Sequence, residues 1–297
     1  MAQWDDLRVF LAVARDESLS KAGKRLRMDP ATVGRRIGRL EEAYATPLFQ
    51  KSPTGYALTD MGQRLLVHAI RAEQSMQMAD EEMSGTTGAL TGQIRIGAPD
   101  GAANFLLPQV CARIAEDNPE LEIQIVALPR LFSLSKREAD FVVAVSPPTA
   151  GRLMVQKITD YQLSLAAAGS YLSTHPAITD LAALQDHPLV GYIPDMIFDK
   201  ELDYLKELGL GTPRLASNSV SVQLNWLQQG SGVGIVHDFA MPFAPELHRV
   251  LHPAVCLTRA FYLVRHEDDK RLERLNRFAE ALSAGLRQEV ARLEGLT

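Results

Sequence analysis

The stretch Asp29 to Leu40, reading Asp-Pro-Ala-Thr-Val-Gly-Arg-Arg-Ile-Gly-Arg-Leu, narrows the folds open to this chain more than any other. Asp29 can accept a hydrogen bond from a free backbone N–H, and Pro30 has its φ preset for the first helical position, so the pair predicts a helix start. Val33, Ile37 and Leu40 recur at helical spacing and predict one buried face. Thr32, Gly34, Arg35, Arg36 and Arg39 are left outside. A slim helix end followed by three arginines suits a DNA major groove, where arginine pairs with guanine or phosphate. Taken alone, the same residues also describe a solvated basic face. Gly34 gives up roughly 1 kcal/mol of helix propensity relative to alanine. Close approach to DNA and a tight helix crossing each account for that cost.

The preceding residues decide between these readings. Ser18 to Leu26 is a second short helical stretch with a serine start and with Ala22 and Leu26 on one face. Only Arg27 to Asp29 separate it from the first, so the two helices cross steeply, as in a helix-turn-helix. Ahead of it, Leu7, Phe10, Leu11 and Ala14 share a face and close a three-helix core. After it, Pro47 to Thr59 reads as two short apolar strands around a turn rich in Pro and Gly, a hairpin wing.

With Leu7-Arg8-Val9-Phe10, Ser18-Leu19-Ser20, Ala22, Leu26, Val33, Arg36-Ile37, Leu40-Glu41, Pro47-Leu48-Phe49 and Gly55-Tyr56 in place, the chain resembles the LysR-type transcriptional regulators over its whole length. That resemblance implies an α/β multidomain protein. Its parts are an N-terminal winged helix-turn-helix (1–58), a linker and dimerisation helix with a hinge (59–91), and a two-lobed α/β effector-binding domain (92–297). The last is similar to type 2 periplasmic binding proteins, with lobe I at 92–161 and 267–297 and lobe II at 162–266. The expected DNA contacts are Ser20, Lys21, Pro30, Ala31, Thr32, Gly34, Arg35, Arg36 and Arg39, joined by Lys51, Ser52 and Thr54 in the wing. Arg35 and Arg36 are the main polar contacts in this reading. Thr32 touches a base edge or phosphate, and Lys51 and Thr54 reach the backbone. The chain departs from the family on the reading surface, with Asp29-Pro30-Ala31 where Ser-Gln-Pro is usual and Gly34 where serine is usual. A glutamine amide pairs bidentately with adenine and a proline cannot, so the operator is not read in the typical way.

Charge distribution agrees with a basic reading head on an acidic body. The net charge is −5 overall, yet the first sixty residues carry ten Lys/Arg against eight Asp/Glu, leaving 21 against 28 for the rest. Such a protein does not coat nucleic acid indiscriminately. Asp5, Asp6 and Arg8 interrupt the first apolar stretch, so no signal peptide is read, and no segment has the length of a membrane span. The expected location is the cytoplasm, with no membrane partner. Two cysteines, Cys111 and Cys256, agree with a reducing compartment. Cys111 shares a helical stripe with Leu107 and Ile114, which favours packing over thiol sensing. His248 and His252 have the spacing of a zinc pair only on a helix, and Pro253 argues against one, so no metal or cofactor is expected.

Thr59 is an N-cap candidate for the next helix. Along it Leu65, Ala69, Ala72, Met76, Ala79 and Met83 recur at spacings of four and three, the seam of a coiled coil. No partner for so long a seam is expected within the head, so it predicts pairing with a second chain, giving a dimer or a tetramer. Ser84 to Gly92 then reads as a hinge by composition.

From Gln93 onward strands alternate with helices, which implies α/β units with largely parallel sheets. Expected strands include 93–97, 122–128 and 141–145, with a helix over 104–118 and a last helix from Lys270 to about Leu293. By the family resemblance, crossover strands fall near Asp160 to Leu163 and Tyr262 to His266, and a small effector lies in the cleft between the lobes. Cleft ligands sit beyond the carboxyl ends of strands, near helix N-termini. The expected effector-binding residues are Asp100, Gly101, Ala102, Asn104, Arg130, Leu131, Ser146, Tyr192, Asn218, Ser219 and His237. Taken singly, each polar one among them reads equally well as a cap or turn residue. Asp100 disfavours a simple carboxylate effector unless Arg130 neutralises it, so an effector with donors and acceptors, such as an amino acid or hydroxy acid, is preferred.

Three function classes are thereby ordered. A ligand-responsive regulator binding an inverted-repeat operator in double-stranded DNA comes first. A constitutive DNA-binding protein whose body only oligomerises comes second. An enzyme comes last, because the chain contains no Gly-x-Gly-x-x-Gly, Gly-x-Ser-x-Gly or Cys-x-x-Cys.

Overall fold

A computed structural model of the chain describes residues 3–52, 55–83, 90–127 and 139–296. It divides into two compact units, Met1–Gly88 and Ala89–Thr297.

In the first unit, α1 (Trp4–Asp16), α2 (Leu19–Leu26) and α3 (Pro30–Tyr44) close a small core. Each start has the expected chemistry. The Ser18 side chain accepts from the Lys21 amide, and Asp29 accepts from the amides of Ala31 and Thr32 at 3.2 and 3.1 Å. Arg27, with φ of 54°, ends α2 and turns the chain into α3. Phe10, Leu11, Val33, Ile37 and Leu40 are buried, with Leu7 and Ala14 packed against them. The wing is β1 (Phe49–Ser52) paired antiparallel with β2 (Gly55–Leu58). Glu41 fixes its entry, accepting from the amides of Leu48 and Phe49 at 2.7 and 3.1 Å.

Helix α4 (Asp60–Met83) starts at Thr59, whose hydroxyl accepts from the Gly62 amide at 3.0 Å. Its first turns do not wait for a second chain. Ala69 is fully buried in the head core, Leu65 packs against that core, and Arg15 of α1 makes a two-pronged pair with Glu73 at 3.1 and 2.5 Å. The expectation that the seam finds no partner within the head is therefore corrected for Leu65 and Ala69. Ala72 is half-buried, whereas Met76 and Ala79 are exposed. The side chain of Met83 and residues 84–89, most of the expected hinge, lie outside the described residues.

The second unit begins with β3 (Gly92–Ala98), α5 (Asp100–Phe105), α6 (Leu107–Asp117), β4 (Leu121–Ala127) and β5 (Phe141–Ala144). The single helix expected over 104–118 is two helices. Pro108, at the start of α6, has no N–H to continue the α5 hydrogen-bond ladder, and Leu106 turns between them. Then come β6 (Leu153–Ala168), α7 (Gly169–Leu172), β7 (Leu189–Gly191), α8 (Tyr204–Glu207), β8 (Leu215–Ala216), α9 (Val220–Gln228), β9 (Val233–His237), β10 (Leu247–Arg249), β11 (Cys256–His266) and α10 (Glu273–Glu294).

Among the described residues nine strands form one mixed sheet in the order β4-β3-β5-β11-β6-β9-β7-β8, with β10 also beside β6. Away from β6 and β11 the pairing is parallel, β3 with β4 and β5, and β7 with β8 and β9, whereas β9 and β10 pair antiparallel with β6. The long strands β6 and β11 run antiparallel through the middle and belong to both lobes. The expectation of largely parallel sheets thus holds for the lobe ends and fails at this spine. These are the crossovers, longer than the segments expected at 160–163 and 262–266. Phe141 and Phe278, with rings 5.4 Å apart, pack α10 onto the first lobe, and Tyr161, Phe239 and Phe261 fill the centre.

Candidate functional site

Two surfaces carry the expected site residues, one in each unit. In the head, Ser20 and Lys21 at the start of α2 and Pro30, Ala31 and Arg35 at the start of α3 are all exposed. Thr32 is half-buried, and its hydroxyl bridges Asp29 and Arg35, donating to the carboxylate at 3.1 Å and accepting from the guanidinium at 3.0 Å. The amides of Ala31 and Thr32, the Thr32 hydroxyl and Arg35 hold the Asp29 carboxyl below its usual range. A negative group therefore sits at the leading end of α3, with Arg35 as its counterweight. A Cβ on Gly34 would meet only the end of Leu19, at an ordinary 3.5 Å. The helix crossing does not require glycine there.

The arginines expected on the open face divide. Arg35 and Arg39 are exposed and Arg36 is half-buried; Arg36 lies 3.5 Å from both Asp5 and Asp6, and Arg39 is bound through two nitrogens to Asp6. Asp6 is 2% exposed, so it is a buried carboxylate neutralised by two guanidiniums. Its place inside the apolar stripe of α1 was the signal in the sequence. Lys51 and Ser52 lie on β1, with side chains outside the described residues, as are all atoms of Thr54.

In the second unit Asp100, Ser146, Ser219 and their neighbours meet between the lobes. One oxygen of Asp100, at the start of α5, accepts from the Ser219 hydroxyl at 3.1 Å, the Ser221 amide at 3.1 Å and the Ser221 hydroxyl at 3.3 Å. Thus a carboxylate of lobe I occupies the N-terminus of α9 in lobe II, where the helix dipole favours negative charge. Ser219 is also the cap of α9, accepting from Val222. A second tie runs alongside, from the Ser146 hydroxyl to the Asp199 carboxylate. The neutralising partner expected for Asp100, Arg130, lies outside the described residues together with Leu131. The partners found are hydroxyls and a helix end.

Gly101 and Ala102 are buried, and a Cβ on Gly101 would touch the His237 ring at 3.4 Å. His237, at the end of β9, is buried and its pKa is pushed down to about 4 by desolvation, so the ring is neutral near pH 7. It stacks on Tyr161 at 5.6 Å and meets Tyr204 edge-on at 6.3 Å. Burial raises the phenols of Tyr161, Tyr192 and Tyr204, and the Asp100 charge adds to the rise at Tyr192. Asn104 turns back onto its own helix, donating to the Asp100 carbonyl at 2.8 Å, and Asn218 is half-buried in the turn before Ser219.

Beyond Tyr192 a cavity of about 400 Å³ opens, walled by Val190, Ile197, Leu202, Tyr204, Gln223 and Ile235, with Asp203 and Lys206 also lining it. Its size and apolar walls with few polar groups are those of a small-molecule site. Arg259 is committed elsewhere, to Glu201 and Glu207 and over the Tyr204 ring. Asp199, Tyr204, Ser221 and Gln223 were not expected from the sequence. The 193–213 segment has no periodicity to mark the first two, whereas Ser221 and Gln223 lie on α9, just beyond the Ser219 cap.

Other candidates resolve simply. Cys111 is buried with its thiol pushed up to about 12, and Cys256 donates to the Gln162 side chain. Among the described residues no cluster of His, Cys, Asp or Glu is placed to hold a metal, and no helix is long and apolar enough to cross a membrane.

Comparison with known proteins gives the same division of the chain. Residues 4–63 match the family model of bacterial regulatory helix-turn-helix proteins of the lysR family, and residues 87–287 match the LysR substrate binding domain. The HTH-type transcriptional activator TtdR of Escherichia coli K12 is 27% identical, over 97% of this chain and 94% of its own. Among solved structures, a full-length OxyR variant from Pseudomonas aeruginosa has a TM-score of 0.72 at 17% identity, covering 97% of this chain and 98% of its own. Full-length LysG from Corynebacterium glutamicum, with bound effector Arg, has a TM-score of 0.62 at 17% identity, covering 98% of each chain.

Proposed function

The chain belongs to the LysR family of bacterial helix-turn-helix transcriptional regulators, and we propose that a small effector bound between its two lobes changes how it engages an inverted-repeat operator. One observation carries this reading. The ties from Asp100 to Ser219 and Ser221, and from Ser146 to Asp199, join the lobes near a cavity of about 400 Å³. A ligand that binds one arrangement of these ties better than another shifts the balance between them, and only such differential affinity moves an equilibrium. Asp203 and Lys206 line the cavity with opposite charges, and phenol and amide groups lie between. That chemistry favours an effector with both donors and acceptors, such as an amino acid or hydroxy acid. LysG with its bound arginine gives the same preference a precedent.

In this reading Arg35, Thr32, Ser20 and Lys21 face the DNA, with Arg36 and Arg39 tying α3 to α1 through Asp6. Met76 and Ala79 on the exposed part of α4 pair with a second copy of the chain, and the protein works in the cytoplasm beside its DNA. The test is a gel-shift titration at fixed salt against DNA upstream of the regulator's own gene, with and without a metabolite mixture. Salt is fixed because phosphate contacts dominate affinity. A specific shift that the mixture strengthens or remodels is the expected result. A specific shift indifferent to every metabolite refutes the effector and leaves a constitutive DNA-binding protein.

A further inference from the structure

The leading end of α3 carries a chain of hydrogen bonds that the head core does not use. Arg35 donates through Nη2 to the Thr32 hydroxyl at 3.0 Å, and that hydroxyl donates to the Asp29 carboxylate at 3.1 Å. Asp29 is itself held by the amides of Ala31 and Thr32, which it caps, so the chain starts from a fixed point. Arg36 and Arg39 are engaged by Asp6, whereas among the described residues no carboxylate lies within ion-pair distance of Arg35. An exposed arginine otherwise samples many rotamers, and ordering it on binding weakens a complex by about two- to tenfold. Here the ordering is done in advance.

The chain also sorts what the guanidinium can meet. A phosphate approaching from the Thr32 side faces the like charge of Asp29, whereas a base edge offers neutral acceptors. Thr32 takes one N–H of the fork and leaves the remaining donors open. In the major groove guanine alone presents two acceptors side by side, O6 and N7, while adenine and cytosine present an amino donor that a guanidinium cannot accept.

The surface beside Arg35 suits a close approach. Ala31, Gly34 and Gly38 recur at spacings of three and four on the side of α3 away from Val33, Ile37 and Leu40. A Cβ on Gly34 would meet only Leu19, at 3.5 Å, and one on Gly38 would meet nothing within 4 Å, so the packing of the head requires neither glycine. Each gives up helix propensity relative to alanine. A smooth strip of backbone lets the helix lie near the base edges, within the short reach of a side chain already bent toward Thr32.

From these observations we infer that Asp29 and Thr32 position Arg35 to read a guanine in each half of the operator, and so set the base specificity of this chain. Arg35 touches the base, and Thr32 and Asp29 act through it. The inference deepens the DNA-binding part of the reading above and is independent of any effector.

The test is selection of bound duplexes from a randomised double-stranded DNA library by the full-length protein, followed by gel shifts on the selected duplex at one salt concentration. The expected result is an enriched site in which one guanine of each half loses its preference in Arg35→Ala. Replacing that guanine by 7-deazaguanine, which lacks N7 and keeps its pairing face, weakens the parent protein by about fivefold or more and leaves Arg35→Ala unchanged. Thr32→Val, close in shape but without the hydroxyl, lowers the preference for that guanine by about two- to tenfold and leaves the other positions as they were, while Thr32→Ser retains it. Asp29→Asn keeps the cap and binds random duplexes more tightly than the parent, because the charge facing phosphate is gone. The 7-deazaguanine arm needs only the parent protein, so it decides even where a variant does not fold. The inference is overturned if 7-deazaguanine at each selected guanine leaves parental binding unchanged, if Arg35→Ala weakens every sequence alike, or if Thr32→Val keeps the parental preference. Enrichment that ignores Arg35 overturns the inference alone, and no enrichment at all takes the operator reading down with it.

Discussion

Replacing Asp100 by alanine tests whether the lobes are held together as the geometry indicates. The parent carboxylate takes three hydrogen bonds through one oxygen, from the Ser219 hydroxyl and from the amide and hydroxyl of Ser221. A hydrogen bond to a charged group is worth about 1.5–3 kcal/mol net, but these share one acceptor atom. Asp100 is half-buried, so water replaces part of what is lost. The sum is therefore held to about 2–3 kcal/mol, roughly a 30- to 150-fold shift away from the tied arrangement. The reporter is the Ser221 amide, whose hydrogen-bond partner is the carboxylate itself. In hydrogen-exchange mass spectrometry the peptide spanning Ser219 to Val222 should exchange faster by about that factor when opening is rapid and reversible. Asp100→Asn, which keeps an acceptor and loses the charge, should fall between. If the Ser221 region of Asp100→Ala exchanges at the parental rate, the ties do not hold the lobes, and the proposed coupling of effector to lobe arrangement loses its basis.

Arg35→Ala should weaken a specific duplex by about 1–3 kcal/mol and a random duplex much less. Arg36→Ala, whose guanidinium is turned toward Asp5 and Asp6, should weaken both equally, and gel shifts at one salt concentration distinguish the two patterns. Met76→Asp with Ala79→Asp places charge on the exposed part of α4 and should convert the oligomer to monomer in sedimentation; an unchanged oligomer excludes this face as the interface. His237, with a folded pKa pushed down to about 4, refuses a proton that the unfolded chain accepts near pH 6.5. Its stabilisation is therefore complete above about pH 6.5 and is lost as pH falls toward about 4, up to about 3 kcal/mol. Urea midpoints at several pH values should fall less steeply in His237→Phe, and identical slopes would count against the assignment. Gly62→Ala would bring a Cβ within 2.1 Å of the Leu48 carbonyl oxygen and should cost about 1–3 kcal/mol of head stability, read by thermal unfolding.

The head was legible because its signals are local. Asp29-Pro30 announces a helix start, and Val33, Ile37 and Leu40 declare a face without reference to anything distant. The α4 seam was misread where its partner had to be named. Small residues at spacings of four and three specify close packing, but nothing in Leu65 or Ala69 says whether the neighbour is another chain or α1. The pairing of Arg36 and Arg39 with Asp6 was missed for a related reason, since that partner is some thirty residues away on another helix. In the second unit the crossover strands were only half visible, because the first part of β6 alternates irregularly and is largely exposed. Asp100, Ser146 and Ser219 were chosen as ligand contacts from their positions at strand and helix ends. Their bonds to residues of the opposite lobe, pairings at sequence separations of 53 to 121, are what no local pattern encodes.

The seating of α4 on the head has a mechanical consequence. A helix of 24 residues is about 36 Å long, and its early turns are fixed by Ala69 and by the Arg15–Glu73 pair. Head and helix therefore turn as one rod. Tilting that rod by about 5° carries its far end through roughly 3 Å, close to the rise of one base pair. Read in reverse, a displacement of a few ångströms imposed at the outer end swings the recognition helix as a rigid arm. Inserting one base pair between two half-sites turns one against the other by roughly 35°. An arm with no joint at its root meets that demand only by bending the DNA or leaving it, so operator spacing should be tolerated far less than operator sequence.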